Sequence, residues 1–240
     1  MNFDQPRIHR HVRIKEAMKL APADGAGKKV PDPPLLLVTD RKQASAPLVR
    51  VVEDALAAGC RWLSLRERDI SAREQLALAR CLRTIARHRG ARLMIHGDAA
   101  IAKEAGLDGV HLRAGADVAT ARALLGAEAL VGISIHSVGE AEKLDAGVLD
   151  YAIAGPAYVT ASKPGYGPAL GPAGLAAIAR ATPVPMIAIG GIEPRIVADI
   201  MASGAAGVAV MGSVMRADKP AQEIEQFLAA LAASRGRRDG

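Results

Sequence analysis

Two short apolar runs that end in small residues lie near the C-terminus, about one strand-and-helix unit apart. The first is Met186-Ile187-Ala188-Ile189-Gly190-Gly191 and the second is Val208-Ala209-Val210-Met211-Gly212-Ser213. Each run is typical of a buried parallel strand whose carboxyl end opens into a loop. Because glycine has no Cβ, its backbone N–H can reach a phosphate oxygen that a larger residue would block. Either run alone could precede an ordinary turn, but the pair predicts a phosphate site formed by Gly190, Gly191, Met211, Gly212 and Ser213.

A charged side chain follows another apolar run, in Ser64-Leu65-Arg66-Glu67-Arg68. Strand alternation places Arg66 on the side opposite Leu65. An arginine that points into a pocket is costly to desolvate without an anion, so Arg66 predicts a phosphorylated or carboxylated substrate. The alternative is a structural ion pair with Glu67 or Asp40.

Lys163 and His136 are further candidates for chemistry. Lys163 closes a loop rich in hydroxyl groups and glycine, which suits a second anionic group, although an exposed loop lysine is the alternative. Histidine is the side chain that most readily exchanges a proton near neutral pH, so His136 could shuttle a proton, or it could be a hydrogen-bonded histidine at the rim. His96 and His111 fit packing or hydrogen bonding better than metal binding, because no carboxylate accompanies them at ligand spacing.

The elements that must position these residues alternate regularly from residue 35 onward. We predict strands at 35–39, 62–66, 92–96, 108–112, 130–134, 150–154, 186–190 and 207–211. We predict helices at 46–58, 71–88, 98–105, 117–125, 138–145, 172–180, 194–203 and 219–233. Alternating strands and helices require parallel pairing with right-handed crossovers. Eight such units close most simply into an α/β fold of the (β/α)8 TIM-barrel type, with the active site at the carboxyl ends of the strands. A doubly wound open sheet is the alternative.

The domain organisation follows from composition. A basic segment that runs into Gly- and Pro-rich sequence predicts a loosely ordered extension over 1–33, followed by the barrel over 34–234 and a basic tail over 235–240. The formal net charge of +6 comes largely from these two ends. With only 2% aromatic residues, the chain offers little for stacking on nucleic acid.

The cysteines and the hydropathy of the sequence indicate in which compartment the protein works and which kinds of partner it binds. Cys60 and Cys81 have no metal or redox spacing, which is typical of a reducing compartment. No apolar run approaches the roughly 20 residues that cross a bilayer. We therefore expect a cytoplasmic protein with a small-molecule partner and with no nucleic-acid or membrane partner. Self-association into a homo-oligomer is left open.

Five motifs at the predicted strand ends resemble, in the same order, those of the thiamine phosphate synthase/TenI family. They are Ser64-Leu65-Arg66-Glu67-Arg68, Leu107-Asp108-Gly109-Val110-His111-Leu112, Val131-Gly132-Ile133-Ser134-Ile135-His136-Ser137, Gly155-Pro156 with Thr160-Ala161-Ser162-Lys163, and Ala188-Ile189-Gly190-Gly191-Ile192. The resemblance covers about 35–233 and implies a TIM barrel that acts in thiamin biosynthesis. The synthase joins hydroxymethylpyrimidine diphosphate to a thiazole phosphate and releases diphosphate with Mg²⁺. The TenI branch includes a metal-independent aromatase that isomerises a thiazole tautomer.

The chain departs from the synthase pattern at the metal ligands. The positions of the two aspartates that bind Mg²⁺ in the synthase fall on Gly97 and Gly115. Asp98 and Asp117 lie nearby, but each needs a local shift to substitute. Mg²⁺ requires oxygen ligands in a strict octahedron, and glycine supplies none from its side chain. We therefore expect no cofactor, and Mg²⁺ only if the chain is a synthase.

Other positions resemble TenI-type members, notably Arg-Glu-Arg at 66–68 and Ser-x-His-Ser at 134–137. The resemblance assigns His136 as the proton-transfer group of a thiazole tautomerase, with Arg66 and Lys163 on anionic groups. A divergent synthase that recruits Asp98 or Asp117 is one alternative, and a catalytically silent barrel that binds thiamin precursors is another. The loop that contains Thr160 is closer to the synthase pattern. Besides the phosphate site, the predicted substrate-binding residues are Ser64, Arg68, His96, Ser134, Thr160 and Ser162.

Overall fold

The runs predicted as strands form one closed barrel in which all neighbouring strands are parallel. The computed structural model describes residues 30–160 and 168–236. The strands are β1 (Leu35–Val38), β2 (Trp62–Leu65), β3 (Arg92–His96), β4 (Gly109–Leu112), β5 (Leu130–Ile135), β6 (Tyr151–Ala154), β7 (Met186–Ile189) and β8 (Gly207–Val210). Each pairs with the next along the chain, and β8 closes against β1. The TIM-barrel prediction is confirmed, and the open-sheet alternative is wrong.

Helices follow the strands as the alternation requires. They are α1 (Leu48–Ala57), α2 (Ala72–His88), α3 (Ala99–Ala105), α4 (Val118–Leu125), α5 (Val138–Ala141), α6 (Gly171–Ala181), α7 (Val197–Ala202), α8 (Gly212–Met215) and α9 (Pro220–Arg235). The predicted helix at 138–145 ends early, at Ala141, because the amides of Lys143 and Leu144 donate to carbonyls three residues back, those of Glu140 and Ala141, rather than four. A 3-10 turn, Pro194–Ile196, begins the predicted helix at 194–203. Helix α8 was not predicted, because four residues are too few to show a helical period.

The strands are apolar on both faces, which is why each reads as a continuous apolar run. One set of side chains packs against the helices, as Leu37, Leu63 and Val110 do. The other set fills the barrel with Leu36, Val38, Trp62, Met94, Leu130, Tyr151, Ile153, Ile187 and Ala209. Toward the carboxyl ends, the inward positions become polar, and there the barrel opens into a cavity.

The inner ends of the two predicted terminal segments contact the barrel or each other. Val30 packs against the cluster inside the barrel, and Asp32 forms an ion pair with Arg235. Residues 1–29 and 237–240 lie outside the described residues, so the predicted extension and tail remain predictions. Among the helices that the structure describes, none combines the length and the apolar character needed to cross a membrane.

Candidate active site

A cavity of about 1120 Å³ occupies the carboxyl ends of the strands. Its lining brings together residues that are far apart in sequence but that were predicted to share a site. These are Arg66, Arg68, His96, Ser134, His136, Thr160, Gly190, Gly191, Met211, Gly212 and Ser213. The predicted residues Ser162 and Lys163 lie outside the described residues.

The glycine-ended strands β7 and β8 supply one side of this cavity. A Cβ at Gly191 would lie 2.5 Å from the carbonyl oxygen of Val159, so this position requires glycine for close approach of the two loops. Over residues 30–160 and 168–236, no group accepts a hydrogen bond from the amides of Gly191, Gly212 or Ser213. Among the residues that the structure describes, three backbone donors at the cavity therefore have no acceptor, and such donors suit an oxyanion.

Arg66 lies at the opposite, β2 side of the cavity. Its backbone amide donates to Thr39 Oγ1 at 2.9 Å, and its side chain, only 14% exposed, has Nη1 4.0 Å from Asp40 Oδ2. Asp40, one of the two ion-pair partners considered from the sequence, therefore lies close to the Arg66 guanidinium. At 4.0 Å the pair is loose, which leaves the guanidinium suited to a ligand anion as well.

Glu67, offered from the sequence as an ion-pair partner of Arg66, instead contacts Thr39 and Arg41. Its buried carboxylate accepts the Thr39 hydroxyl at 2.7 Å and the Arg41 amide at 3.1 Å. Burial raises the pKa of the Glu67 carboxyl above its ordinary value, although the hydrogen bonds from Thr39 and Arg41 oppose this effect. Through Thr39, which also accepts from the Arg66 amide, Glu67 helps to fix the backbone at the end of β2.

His136 lies at the end of β5, between two fixed partners. Its Nδ1 is 2.7 Å from the carbonyl oxygen of Gly155, and its backbone amide donates to Glu140 Oε2 at 2.6 Å. A carbonyl can only accept, so Nδ1 must carry the proton. In the neutral ring the lone pair then lies on Nε2, which is the form that can remove a proton from a ligand.

Sequence reasoning missed Trp62, Met94 and Tyr151, which lie beneath the cavity and meet the predicted residues His111 and Ser134 there. Met94 Sδ accepts from Trp62 Nε1 at 2.9 Å and from the Tyr151 hydroxyl at 3.5 Å. His111, fully buried, has Nδ1 3.2 Å from the Tyr151 oxygen and Nε2 2.9 Å from Ser134 Oγ. Burial raises the pKa of Tyr151 well above its ordinary value, so its hydroxyl keeps its proton. The sequence contains these residues at inward strand positions, but only the register between strands shows that they meet.

The rings of His96 and His111 are 4.6 Å apart, and Arg68 Nη2 lies 3.4 Å from His96 Nε2. Both histidines therefore take part in packing and hydrogen bonding, as their sequence context favoured. His96 connects the charged rim at Arg68 with the buried group beneath it.

Ser64 does not line the cavity, although the sequence placed it among the substrate-binding residues. It is fully buried inside the barrel, next to Val38 on β1 and Met94 on β3. Its Oγ has no hydrogen-bond partner in the part of the chain that the structure describes. The hydroxyl points into the packed interior because strand alternation places Ser64 two residues below Arg66.

We predict that Ser64→Ala raises the free energy of unfolding by about 1 kcal/mol, because burying an unpaired hydroxyl is unfavourable. Urea denaturation measures this change. Ser234→Ala is the matched control, since the Ser234 hydroxyl is also buried but donates to the Leu231 carbonyl at 2.7 Å. The control should lose stability, and a loss of stability in Ser64→Ala as well would contradict the prediction.

The carboxylates near the expected metal positions have structural roles. Asp98 Oδ1 accepts from the Ala100 amide at 2.7 Å and caps α3, and Asp117 caps α4 through the amide and hydroxyl of Thr120. The hydrogen bond from the Thr120 side chain is the main reason that the pKa of Asp117 is lowered. These carboxylates stabilise helix N-termini.

The aligned positions themselves offer no donors. Gly97 and Gly115 have positive φ values of 148° and 72°, and open space surrounds the place where a Cβ would lie at each. Within the described ranges, no group of three or more His, Cys, Asp or Glu side chains is placed to hold a metal ion. The donor set at the ends of β3 and β4 therefore does not fit Mg²⁺, which prefers several oxygen ligands.

Comparisons with known proteins agree with this architecture. The sequence model of thiamine monophosphate synthases (TMP-TENI) matches residues 35–214. A Geobacter sulfurreducens protein provisionally named thiamine-phosphate synthase is 42% identical over 199 residues, which cover 82% of this chain and 93% of that protein. The thiamine-phosphate synthase of Moorella thermoacetica is 33% identical over 205 residues, which cover 84% of this chain and 97% of that enzyme. Among solved structures, thiamine phosphate pyrophosphorylase from Pyrococcus furiosus has a TM-score of 0.75 at 25% identity, over 83% of this chain and 96% of that one.

Proposed function

Since this chain belongs to the thiamine monophosphate synthase family, we propose that it is an enzyme of thiamine biosynthesis that isomerises a phosphorylated thiazole by moving a ring proton. The observation that carries this proposal is the orientation of His136. Its Nδ1 donates to the Gly155 carbonyl at 2.7 Å, so Nε2 of the neutral ring can act as a base at the cavity.

Two anion-binding regions support the placement of such a substrate. The amides of Gly191, Gly212 and Ser213 suit the phosphate, because they have no acceptor among the described residues. Arg66, on the β2 side, suits a carboxylate on the thiazole ring. Lys163 was predicted to hold an anionic group as well, and that role remains a prediction.

The proposed chemistry is a proton relocation. His136 Nε2 takes a proton from one ring position as the electron pair of that bond moves into the ring system. The imidazolium then returns the same proton to a second carbon, so substrate and product have the same composition. The Gly155 carbonyl stabilises both forms of the imidazole, because it accepts from Nδ1–H in each.

The second candidate is a divergent thiamine-phosphate synthase, and the comparisons support it better than they support the isomerase. The named relatives carry the synthase activity in their names, at 33% and 42% identity. The feature that weighs against it is the donor set, because Asp98 and Asp117 cap helices and the aligned positions are glycines. A precursor-binding barrel without activity is the remaining alternative, and no observation of the site favours it.

One experiment separates these functions. Purified protein is assayed for conversion of the thiazole carboxylate tautomer, in a coupled assay, and for thiamine phosphate formation from the two synthase substrates. Each assay is run with Mg²⁺ and with excess EDTA. We expect isomerisation at the same rate under both conditions and no Mg²⁺-dependent thiamine phosphate. Thiamine phosphate formation that EDTA abolishes would establish the synthase instead, and substrate binding without turnover would establish the silent barrel.

A further inference from the structure

Arg216 lines the same cavity as the glycine loops, although sequence reasoning did not assign it to the site. It follows helix α8, and its backbone amide donates to the carbonyl of Gly212, the first residue of that helix, at 3.1 Å. Side chains at helical positions lean toward the preceding turn, so the Arg216 side chain is directed back over Gly212 and Ser213. This arrangement brings a cation to the phosphate side of the cavity.

The side chain of Gln43, in the loop between β1 and α1, holds the Arg216 guanidinium. Arg216 Nη1 donates to Gln43 Oε1, and Gln43 Nε2 donates to Asp40 Oδ2 at 2.6 Å. An arginine can only donate and an ionised carboxylate can only accept, so these two neighbours determine which end of the Gln43 amide faces Arg216. The same Asp40 oxygen lies 4.0 Å from Arg66 Nη1, so one loop contacts a guanidinium on each side of the cavity.

Two hydrogen bonds from Ser45 attach the chain on either side of Arg216 to this loop. The Ser45 amide donates to the Met215 carbonyl at 2.8 Å, and the Ser45 hydroxyl donates to the Ala217 carbonyl at 2.6 Å. The backbone at Arg216 is therefore held without the help of its own side chain. A substitution of Arg216 should remove the guanidinium and leave the glycine loop in place.

The charge of Arg216 matters because the glycine loops supply only neutral amides. A phosphate monoester carries a charge of about −1.5 to −2 at pH 7. Among the described arginines that line the cavity, Arg66 and Arg68 follow β2 and Arg113 follows β4, whereas Arg216 follows β8. Arg216 is thus the described arginine placed to offset the charge of a phosphate at the ends of β7 and β8.

We propose that Arg216 binds the phosphate of the ligand together with the amides of the glycine loops, and that Gln43 is the positioning residue that holds its guanidinium there. A guanidinium has five N–H donors in one plane, so it can donate to Gln43 and to a phosphate at the same time. Arg216 then selects a phosphorylated ligand over the corresponding alcohol. This inference deepens the proposed function, because it rests on a phosphorylated ligand.

Phosphate titration followed by amide NMR of the full chain tests the contact without any thiazole. We expect inorganic phosphate to shift the amide resonances of Gly191, Gly212 and Ser213. Because Arg216 is exposed, Arg216→Ala should raise the phosphate Kd at these amides by about tenfold, the lower end of the range for a hydrogen bond to a charged group. Arg113→Ala is the matched control, because it removes an arginine from the β4 side of the same cavity and should leave this Kd unchanged.

Three results would overturn the role of Arg216. They are wild-type spectra in which phosphate does not shift the three amides, a Kd in Arg216→Ala that equals the wild-type value, and an equal loss of affinity in Arg113→Ala. The last result would show a general effect of charge in the cavity. The same spectra show whether a variant is folded. If Arg216→Ala is not, Arg216→Lys decides the question, because it keeps the charge but loses the planar fork and should still weaken phosphate binding.

A second substitution tests the positioning role of Gln43. We expect Gln43→Ala to raise the phosphate Kd by about threefold in the wild-type background and to have no further effect in Arg216→Ala, since residues that act through one contact are not additive. An equal loss in both backgrounds would overturn the assignment of Gln43 as a positioning residue.

The phosphate titration and the isomerase assay fail separately. In the isomerase assay, Arg216→Ala should raise KM and leave kcat unchanged, because the phosphate contact is the same before and during proton transfer. An unchanged KM would contradict the contact with the substrate phosphate. Absence of turnover in the wild type would remove the proposed function and leave the titration standing. Absence of phosphate binding would remove the role of Arg216 without affecting that of His136.

Discussion

His136→Ala is expected to lower kcat for thiazole isomerisation by about 10²- to 10⁴-fold, the usual contribution of a positioned general acid–base group. The structure provides the reason, because the Gly155 carbonyl fixes the Nδ1 proton and leaves Nε2 as the base. The coupled assay on the thiazole carboxylate tautomer measures kcat, and calorimetry with the same ligand measures binding separately. The loss should therefore appear in turnover rather than in affinity.

Two controls make this result specific. His88→Ala removes an exposed histidine at the end of α2 and should leave kcat unchanged. Added imidazole should restore part of the activity of His136→Ala, because it can occupy the space of the lost ring and carry the proton. Wild-type turnover in His136→Ala would remove the proposed mechanism.

Gly132→Ala is expected to have the largest effect on stability, a loss of more than about 3 kcal/mol in the free energy of unfolding. A Cβ at this position of β5 would lie 2.1 Å from Cζ of the Tyr151 ring. The ring cannot move aside, because it is fully buried and packs against both Trp62 and His111. Urea denaturation of the wild type and the variant measures the difference.

Gly139→Ala is the matched control, since a Cβ there meets nothing within 4 Å and the residue lies in helix α5. It should be neutral or slightly stabilising, because alanine favours helix more than glycine does. The combination Gly132→Ala with Tyr151→Leu should recover part of the lost stability, because leucine leaves room for the new methyl group. An equal loss in the single and double variants would show that the ring contact is not the cause.

The strands were predictable because a barrel buried on both faces leaves an uninterrupted apolar signal in each of them. All eight observed strands begin within one residue of the predicted starts, as Trp62–Leu65 does against 62–66. Short helical turns such as Gly212–Met215 were not predictable, because they depend on the closure of the barrel rather than on periodicity. The early end of α5 was not predictable either, because it depends on a change to hydrogen bonds that reach three residues back, as from the Leu144 amide to the Ala141 carbonyl.

The rim of the site was predictable from the rule that strand carboxyl ends meet, and this rule brings Arg66, His136 and the glycine loops into one cavity. The interior beneath the rim was not. Ser64 and Tyr151 look alike from sequence as isolated polar residues in apolar runs, yet one has no described partner and the other anchors a chain of hydrogen bonds. Whether such a side chain finds a hydrogen-bond partner depends on which residue the neighbouring strand places at the same level along the barrel axis.

Gly97 and Gly115 would each accept an aspartate only at a cost in stability. Both have room for a carboxylate, so crowding is not the obstacle. The obstacle is the positive φ value at each position, because an L residue in the left-handed region costs about 1–2 kcal/mol in stability. One new aspartate would carry that penalty without completing a metal site, and moving Asp98 or Asp117 would sacrifice a helix cap worth about 1 kcal/mol. Any single substitution toward a metal site at the ends of β3 and β4 is therefore expected to lower the stability of the barrel before it contributes to metal binding.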